Sequence, residues 1–149
     1  MKNFYLIFFV LIIGLFVSIN YAQNNKVSES DKNRKGNSAE VIFAEIEAGI
    51  AKGNVPALFK HLSPQTYFSL TSGIRGYYSS NQAYYILEDF FKIYQVLSFK
   101  FHSLQAENGN PYATGIYFYE FKGKRETAQV YISLKNMGKI WKIIQITFN

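Results

Sequence analysis

The chain has 149 residues, 48% of them hydrophobic and 18% aromatic, which suffices for one packed domain and excludes a chain disordered throughout. Its net charge is +6 and its basic residues are scattered along the sequence, which argues against a nucleic-acid partner. It has no cysteine, so disulfides, thiolate nucleophiles, Cys-ligated metals and a lipid-bearing cysteine are excluded together.

Met1-Lys2-Asn3 is a short positive start. Phe4 to Val17 is apolar apart from Tyr5 and Gly14, and Ser18, Asn20 and Ala22 are small or polar. This is the pattern of a signal peptide, residues 1–22, with cleavage expected after Ala22. A spanning helix wants about 20 apolar residues, and this run is shorter. The membrane is therefore expected only as an export route, and the mature protein in the periplasm or the medium. Residues 23–37 form a polar spacer, with Val27 the only aliphatic side chain up to Gly36. Such a stretch buries too little to offset its ordering entropy, so it is expected to be a flexible tether. The domain then runs from 38 to 149.

Asn37 to Glu40 offers a helix start with a capping-box pattern, and Val41, Ile42, Ala44, Ile46 and Ile50 follow at helical spacing until Gly53-Asn54. Val55 to His61 predicts a second short helix, ended by Pro64. Tyr67 to Thr71 and Ile74 to Ser79 predict short strands. Ser79 and Gln82 form a second capping box, and Ala83, Ile86, Leu87, Phe90, Phe91 and Tyr94 make one apolar stripe. Four strands follow: Leu97 to Glu107, Pro111 to Phe121, Arg125 to Lys135, and Ile140 to Phe148. Short Gly- or Asn-bearing turns join them, which predicts an antiparallel meander.

Register can be read further. A two-residue Asn108-Gly109 loop sets Phe101 opposite Ile116 and Phe99 opposite Phe118, which makes these four the core face. Tyr117 and Tyr119 then fall on the outer face. A three-residue loop at Lys122-Gly123-Lys124 brings Ala128, Val130, Ile132 and Leu134 to the core face. A two-residue loop brings Gln129 and Tyr131 there, so hydrophobicity selects the longer loop. In the last strand Ile143 and Ile144 have opposite parity, which implies burial on both faces or a bulge.

The order helix, helix, strand, strand, helix and four antiparallel strands resembles the NTF2-like (cystatin-like α+β) superfamily. More narrowly, the chain resembles the DUF4783 family of small exported bacterial proteins. The residues that carry this are Tyr78-Ser79 leading into Gln82-Ala83, Ile86 to Phe91, Phe99 with Phe101-His102, Asn108-Gly109 with Tyr112 and Gly115, and Val130-Tyr131 with Leu134-Lys135. The resemblance implies an α+β cone. Its curved antiparallel sheet of four to six strands packs on about three helices, around a cavity. No activity is implied by the narrower family, so it transfers no catalytic residue.

Phe43, Phe59, Ile86, Phe90, Phe99, Phe101, Ile116, Phe118, Val130 and Ile132 are expected to line that cavity. Enzymes on this fold set an Asp or His with Tyr or another acid inside the cone, where an apolar wall tunes the pKa. Here His61 and His102 are expected to face solvent. Of the carboxylates, only Glu120 and Glu126, near a strand end, share the expected core face. No metal ligands converge and no cofactor is expected. The expected function is a non-catalytic binding module for a small apolar ligand or a protein partner, with a small isomerase or dehydratase as the alternative. Tyr117 and Tyr119 are expected to form the interface of a homodimer.

Overall fold

The computed structural model describes residues 38–106 and 109–149. The expected signal peptide and tether lie outside the described residues, as do Glu107 and Asn108 at the first meander turn. The elements are α1 (Ala39–Ala51), α2 (Val55–Phe59), β1 (Leu62–Ser69), β2 (Arg75–Ser79), α3 (Ser80–Ile93), β3 (Gln95–Gln105), β4 (Tyr112–Phe121), β5 (Lys124–Met137) and β6 (Ile140–Phe148).

The six strands form one sheet in the order β2-β1-β6-β5-β4-β3. Neighbours run antiparallel except β1 and β6, which are parallel. The sheet is therefore mixed at that joint, and the four late strands form the expected antiparallel meander. The early hairpin and the late meander meet mid-sheet, at the joint between β1 and β6.

The strongest sequence signal gives the clearest element. In α3 the Ser79 hydroxyl accepts from the Gln82 amide, and the Gln82 side chain accepts from the Ser79 amide at 3.0 Å. Ala83, Leu87, Phe90 and Phe91 are buried along its stripe. Helix α1 buries Ile42, Phe43, Ile46 and Ile50, but its N-cap Ser38 makes no side-chain capping bond. Pro64 does not end a helix as expected. It lies inside β1, where pairing to β6 is interrupted between Leu62 and Tyr67. Proline is tolerated at such an irregularity because no ladder donor is needed there. Side chains take over: the Thr66 hydroxyl donates to the Ile143 carbonyl at 3.0 Å.

The register of β3 on β4 begins as expected, with Leu104 opposite Ala113 and Gln105 opposite Tyr112. A bulge between Phe101 and Ser103 then shifts it by one residue. Phe101 comes opposite Gly115, and Phe99 opposite Tyr117. The core face of β4 is thus Ala113, Gly115, Tyr117 and Tyr119, all buried, while Ile116 is half-buried and Phe118 is 46% exposed on the other side. The expected assignment of Ile116 and Phe118 to the interior, and of Tyr117 and Tyr119 to the outside, is inverted by that single residue.

The turn to β5 is also shorter than expected. Phe121 pairs with Lys124, leaving Lys122 and Gly123 as a two-residue turn with φ of 51° and 73°. Two positive φ angles match the twist of a tight hairpin. Ala128, Val130, Ile132 and Leu134 nevertheless face the core as expected, because the β4 face they join is the opposite one. In β6 the pairing to β5 shifts after Ser133 and leaves Ile144 unpaired. The conflict between Ile143 and Ile144 is therefore resolved by a bulge.

Gly115 is required by close approach. A Cβ there would lie 2.5 Å from the Lys100 carbonyl oxygen, which the bulged strand brings over it. At the free edge of the sheet the Phe101 amide donates to Glu47 Oε2 at 2.7 Å, tying β3 to α1.

Candidate functional site

The interior between α1, α3 and the sheet is built of rings. Phe90 stacks on Tyr94 at 4.8 Å and meets Phe148 at 4.8 Å. Tyr117 lies 5.1 Å from Phe148 and stacks on Tyr119 at 5.5 Å. Phe99 meets Phe101 at 4.9 Å, and Phe101 meets Phe43 at 5.8 Å. These are direct edge-to-face and offset contacts between neighbouring rings.

The Tyr117 hydroxyl is engaged as well. It donates to the Tyr94 carbonyl at 2.7 Å. Tyr94 caps the C-terminus of α3, where carbonyls have no partner inside the helix. Burial pushes the Tyr117 phenol well above its ordinary pKa, and burial likewise raises Tyr119. A phenol held protonated and spent on a helix end is a structural donor, not an acid poised near neutral pH.

Of the residues expected inside, Phe43, Phe90, Phe99, Val130 and Ile132 are buried, and Ile86 and Phe101 are half-buried against the same core. Phe59 is not inside. As the last residue of α2 it is 38% exposed and packs edge-on against Tyr84 at 5.6 Å. Ile116 and Phe118 lie on the outer face. Tyr117 and Tyr119 lie within, so the dimer interface expected on them does not exist as a surface.

His61 departs from expectation too. It is 6% exposed, and its Nε2 lies 3.0 Å from Glu45 Oε2 without an aligned hydrogen bond. The same Glu45 oxygen takes the Lys60 ammonium at 2.5 Å, and Lys142 Nζ donates to the Lys60 carbonyl. Burial, then the nearby Lys60 charge, holds the His61 pKa below its usual value, with Glu45 pulling the other way. Lys60 keeps the Glu45 carboxyl low. The cluster ties the end of α2 to α1 and β6. His102 is exposed, as expected.

The outer face of the sheet carries Tyr112, Thr114, Ile116 and Phe118 from β4, beside Thr127, Gln129, Tyr131 and Ser133 from β5. Tyr112 and Tyr131 stack at 5.5 Å, and Tyr67 meets Tyr77 at 5.1 Å further along. A hollow of about 280 Å³ opens in its middle, lined by His102, Thr114, Gln129, Tyr131, Thr147 and Asn149 among others. A cleft of about 290 Å³ lies between α1 and β3, with Glu40, Glu47 and His102 in its wall. Another, of about 340 Å³, lies beside Lys52, Glu88 and Lys92. No group of three or more His, Cys, Asp or Glu among the described residues could hold a metal ion. No described helix is long and apolar enough to cross a membrane.

Comparisons with known proteins agree with this architecture. A DUF4783 family protein from Bacteroides uniformis superposes with a TM-score of 0.65 at 16% identity, covering 71% of this chain and 94% of that one. A DUF4783 family protein from Bacteroides ovatus gives a TM-score of 0.63 at 16% identity, with 70% and 91% covered. A hypothetical protein with a ketosteroid isomerase-like fold from Catenulispora acidiphila, solved with trimethylamine, gives 0.59 at 12% identity, with 75% and 85% covered. At these identities the likeness is one of fold. No functionally curated protein matches the chain. The family model described as a domain of unknown function, DUF4783, matches residues 43–149, nearly the whole α+β unit built above, and the chain belongs to that family, on an NTF2-like fold.

Proposed function

We propose that this is a non-catalytic binding module of an exported protein, and that it binds through the outer face of its sheet. The observation that carries this reading is the division of labour across β4. The inner face spends its rings on packing and the buried Tyr117 phenol on a helix end. The outer face leaves Phe118 46% and Tyr112 38% exposed, and a hollow walled by Thr114, Gln129 and Tyr131 opens on the same face. Large aromatics on a solvated sheet face depart from the usual polar pattern and suit an interface. A small ligand within the cone is the weaker form of the idea, because the residues expected to line a cavity touch one another. An isomerase or dehydratase would need an Asp or His packed among those rings beside the phenols. The described group buried closest to that role, His61, sits apart with Glu45 and Lys60.

The test is hydroxyl-radical footprinting of the protein in its native extract and after purification. Tyr112, Phe118 and Tyr131 should label less in the extract than in the purified protein. Equal labelling of all three in both samples would overturn the reading. If the occupant is a second copy, the protection returns on concentrating the pure protein and sedimentation gives a dimer.

A further inference from the structure

The hollow in the outer face has a chemistry of its own. Thr114, Gln129 and Tyr131 project from adjacent strands, with Thr147 opposite Tyr131 on the next. The bulge that resets β3 adds His102, whose Nε2 lies 3.2 Å from the Thr114 hydroxyl. On the far side Gln145 donates to the Thr147 hydroxyl at 3.2 Å, which fixes that group. Every one of these polar groups can both give and accept hydrogen bonds, except for the roles the imidazole tautomer sets. No charged side chain is among the lining residues, and the main-chain oxygen of Asn149 in the wall is taken by the Gln129 amide at 2.7 Å.

One wall is aromatic. The Tyr131 ring is held by its stack on Tyr112, so it is a fixed plate rather than a free rotor. The hollow, at about 280 Å³, is near the small end of ligand sites, which run from about 300 to 1,000 Å³. An ionic ligand would find no countercharge among these side chains. A wholly apolar one would strand hydroxyls and amides without partners. A ligand that is neutral, rich in paired donors and acceptors on its rim, and apolar on one flat side meets all three conditions.

We propose that this hollow binds a neutral sugar ring, with its C–H face on Tyr131 and its hydroxyls on Thr114, Gln129 and His102. The proposal rests on the outer-face reading above, and names the ligand class. The sugar is either a free monosaccharide or one unit of a neutral glycan chain, and the two arms of the test separate these sources.

The experiment is an NMR titration of the isotope-labelled, purified protein with glucose, galactose and N-acetylglucosamine in one arm. Maltotriose, cellotriose and chitotriose make up the other. At about 10 mM sugar, amides of Thr114, Gln129, Tyr131 and Thr147 should shift together, since a site of about millimolar Kd is then mostly filled. A trisaccharide binding about tenfold or more tighter than its monosaccharide identifies a chain, and equal affinities a free sugar. Gln129→Ala, at an exposed position, should weaken binding several-fold with the spectrum otherwise intact, and Tyr131→Ala should abolish it. A glucuronate trimer should not bind. Absence of these shifts with all six neutral sugars, or shifts that Gln129→Ala and Tyr131→Ala leave untouched, would overturn the proposal. If footprinting still shows the face protected in the extract, only the ligand class is wrong; if the protection is missing too, the outer-face reading falls with it.

Discussion

Tyr117 and Phe118 are neighbours in one strand, and the less hydrophobic of the two is the one inside. Tyr117 is fully buried and Phe118 is 46% exposed. A ranking by side-chain hydrophobicity puts them the other way round. What reverses it is position. The core face of β4 must also accept the close passage of β3 at Gly115, and must offer a donor to the end of α3 at Tyr94. Tyrosine meets the second demand and phenylalanine does not. Burial of a tyrosine is favourable when its hydroxyl is paired, because the ring then contributes its full apolar area.

This contrast between faces can be broken on the inner side first. Phe90→Ala removes a ring that touches Tyr94, Tyr117 and Phe148, and should cost about 3–5 kcal/mol in denaturant unfolding. A loss under about 1 kcal/mol, the surface range, would mean that the helix stripe does not face the sheet. Next comes Gly115→Val, which forces atoms into the space held by the Lys100 carbonyl. It should cost about 1–3 kcal/mol as overpacking, and backbone shifts should centre on Phe99 to Ser103. Tyr117→Phe keeps the ring and deletes the hydroxyl. About 0.5–1.5 kcal/mol should be lost, the net worth of one hydrogen bond, and amide exchange should quicken in the last turn of α3.

The pH response sharpens the comparison from a third direction. His61 has a folded pKa below its unfolded value of about 6.5, owing to burial and Lys60 against the pull of Glu45, with Lys142 adding to the lowering. Above that pH the imidazole is neutral in both states and costs nothing. As pH falls through about 6.5 toward the folded pKa, the unfolded chain takes the proton first, so stability declines. His61→Gln should flatten the decline that sets in below pH about 6.5. The Glu45 carboxylate, whose folded pKa is also lowered, adds its own loss at lower pH. An unchanged slope in the variant would remove His61 as its source. The smallest effect is on the outer face, where Phe118→Ser should change stability by no more than about 0.5 kcal/mol. It should nevertheless diminish the protection of Tyr112 and Tyr131 in the native extract.

Where local rules act alone, the sequence is a good guide. The Ser79–Gln82 box and the α3 stripe depend only on neighbours within a turn or two, and both are in place. The family and the fold were likewise legible, because turn residues and strand lengths survive small errors of register. The faces of β4 were not. Their assignment carried a correct pairing near Asn108-Gly109 through His102, where one residue steps out of the ladder. A corrective signal existed. Glu120 shares parity with Ile116 and Phe118, and a charge at that parity argues for solvent, whereas Ala113, Gly115, Tyr117, Tyr119 and Phe121 include no charge at all. The hollow was illegible for a different reason. Thr114, Gln129 and Thr147 stand on three strands, and no local motif joins them until the sheet does.

The tie between Glu47 and the Phe101 amide has a consequence for how copies of this protein meet one another. The strand β3 is an open margin of the sheet, and a straight margin with free amides would recruit the margin of another molecule. Two bulges break β3, after Val96 and after Phe101, and the Glu47 carboxylate occupies the amide between Lys100 and His102. The opposite margin, β2, is only five residues long. A chain rich in strand-forming aromatics is thereby guarded against polymerising edge to edge by backbone irregularity and one carboxylate, which frees the broad face of the sheet to remain aromatic.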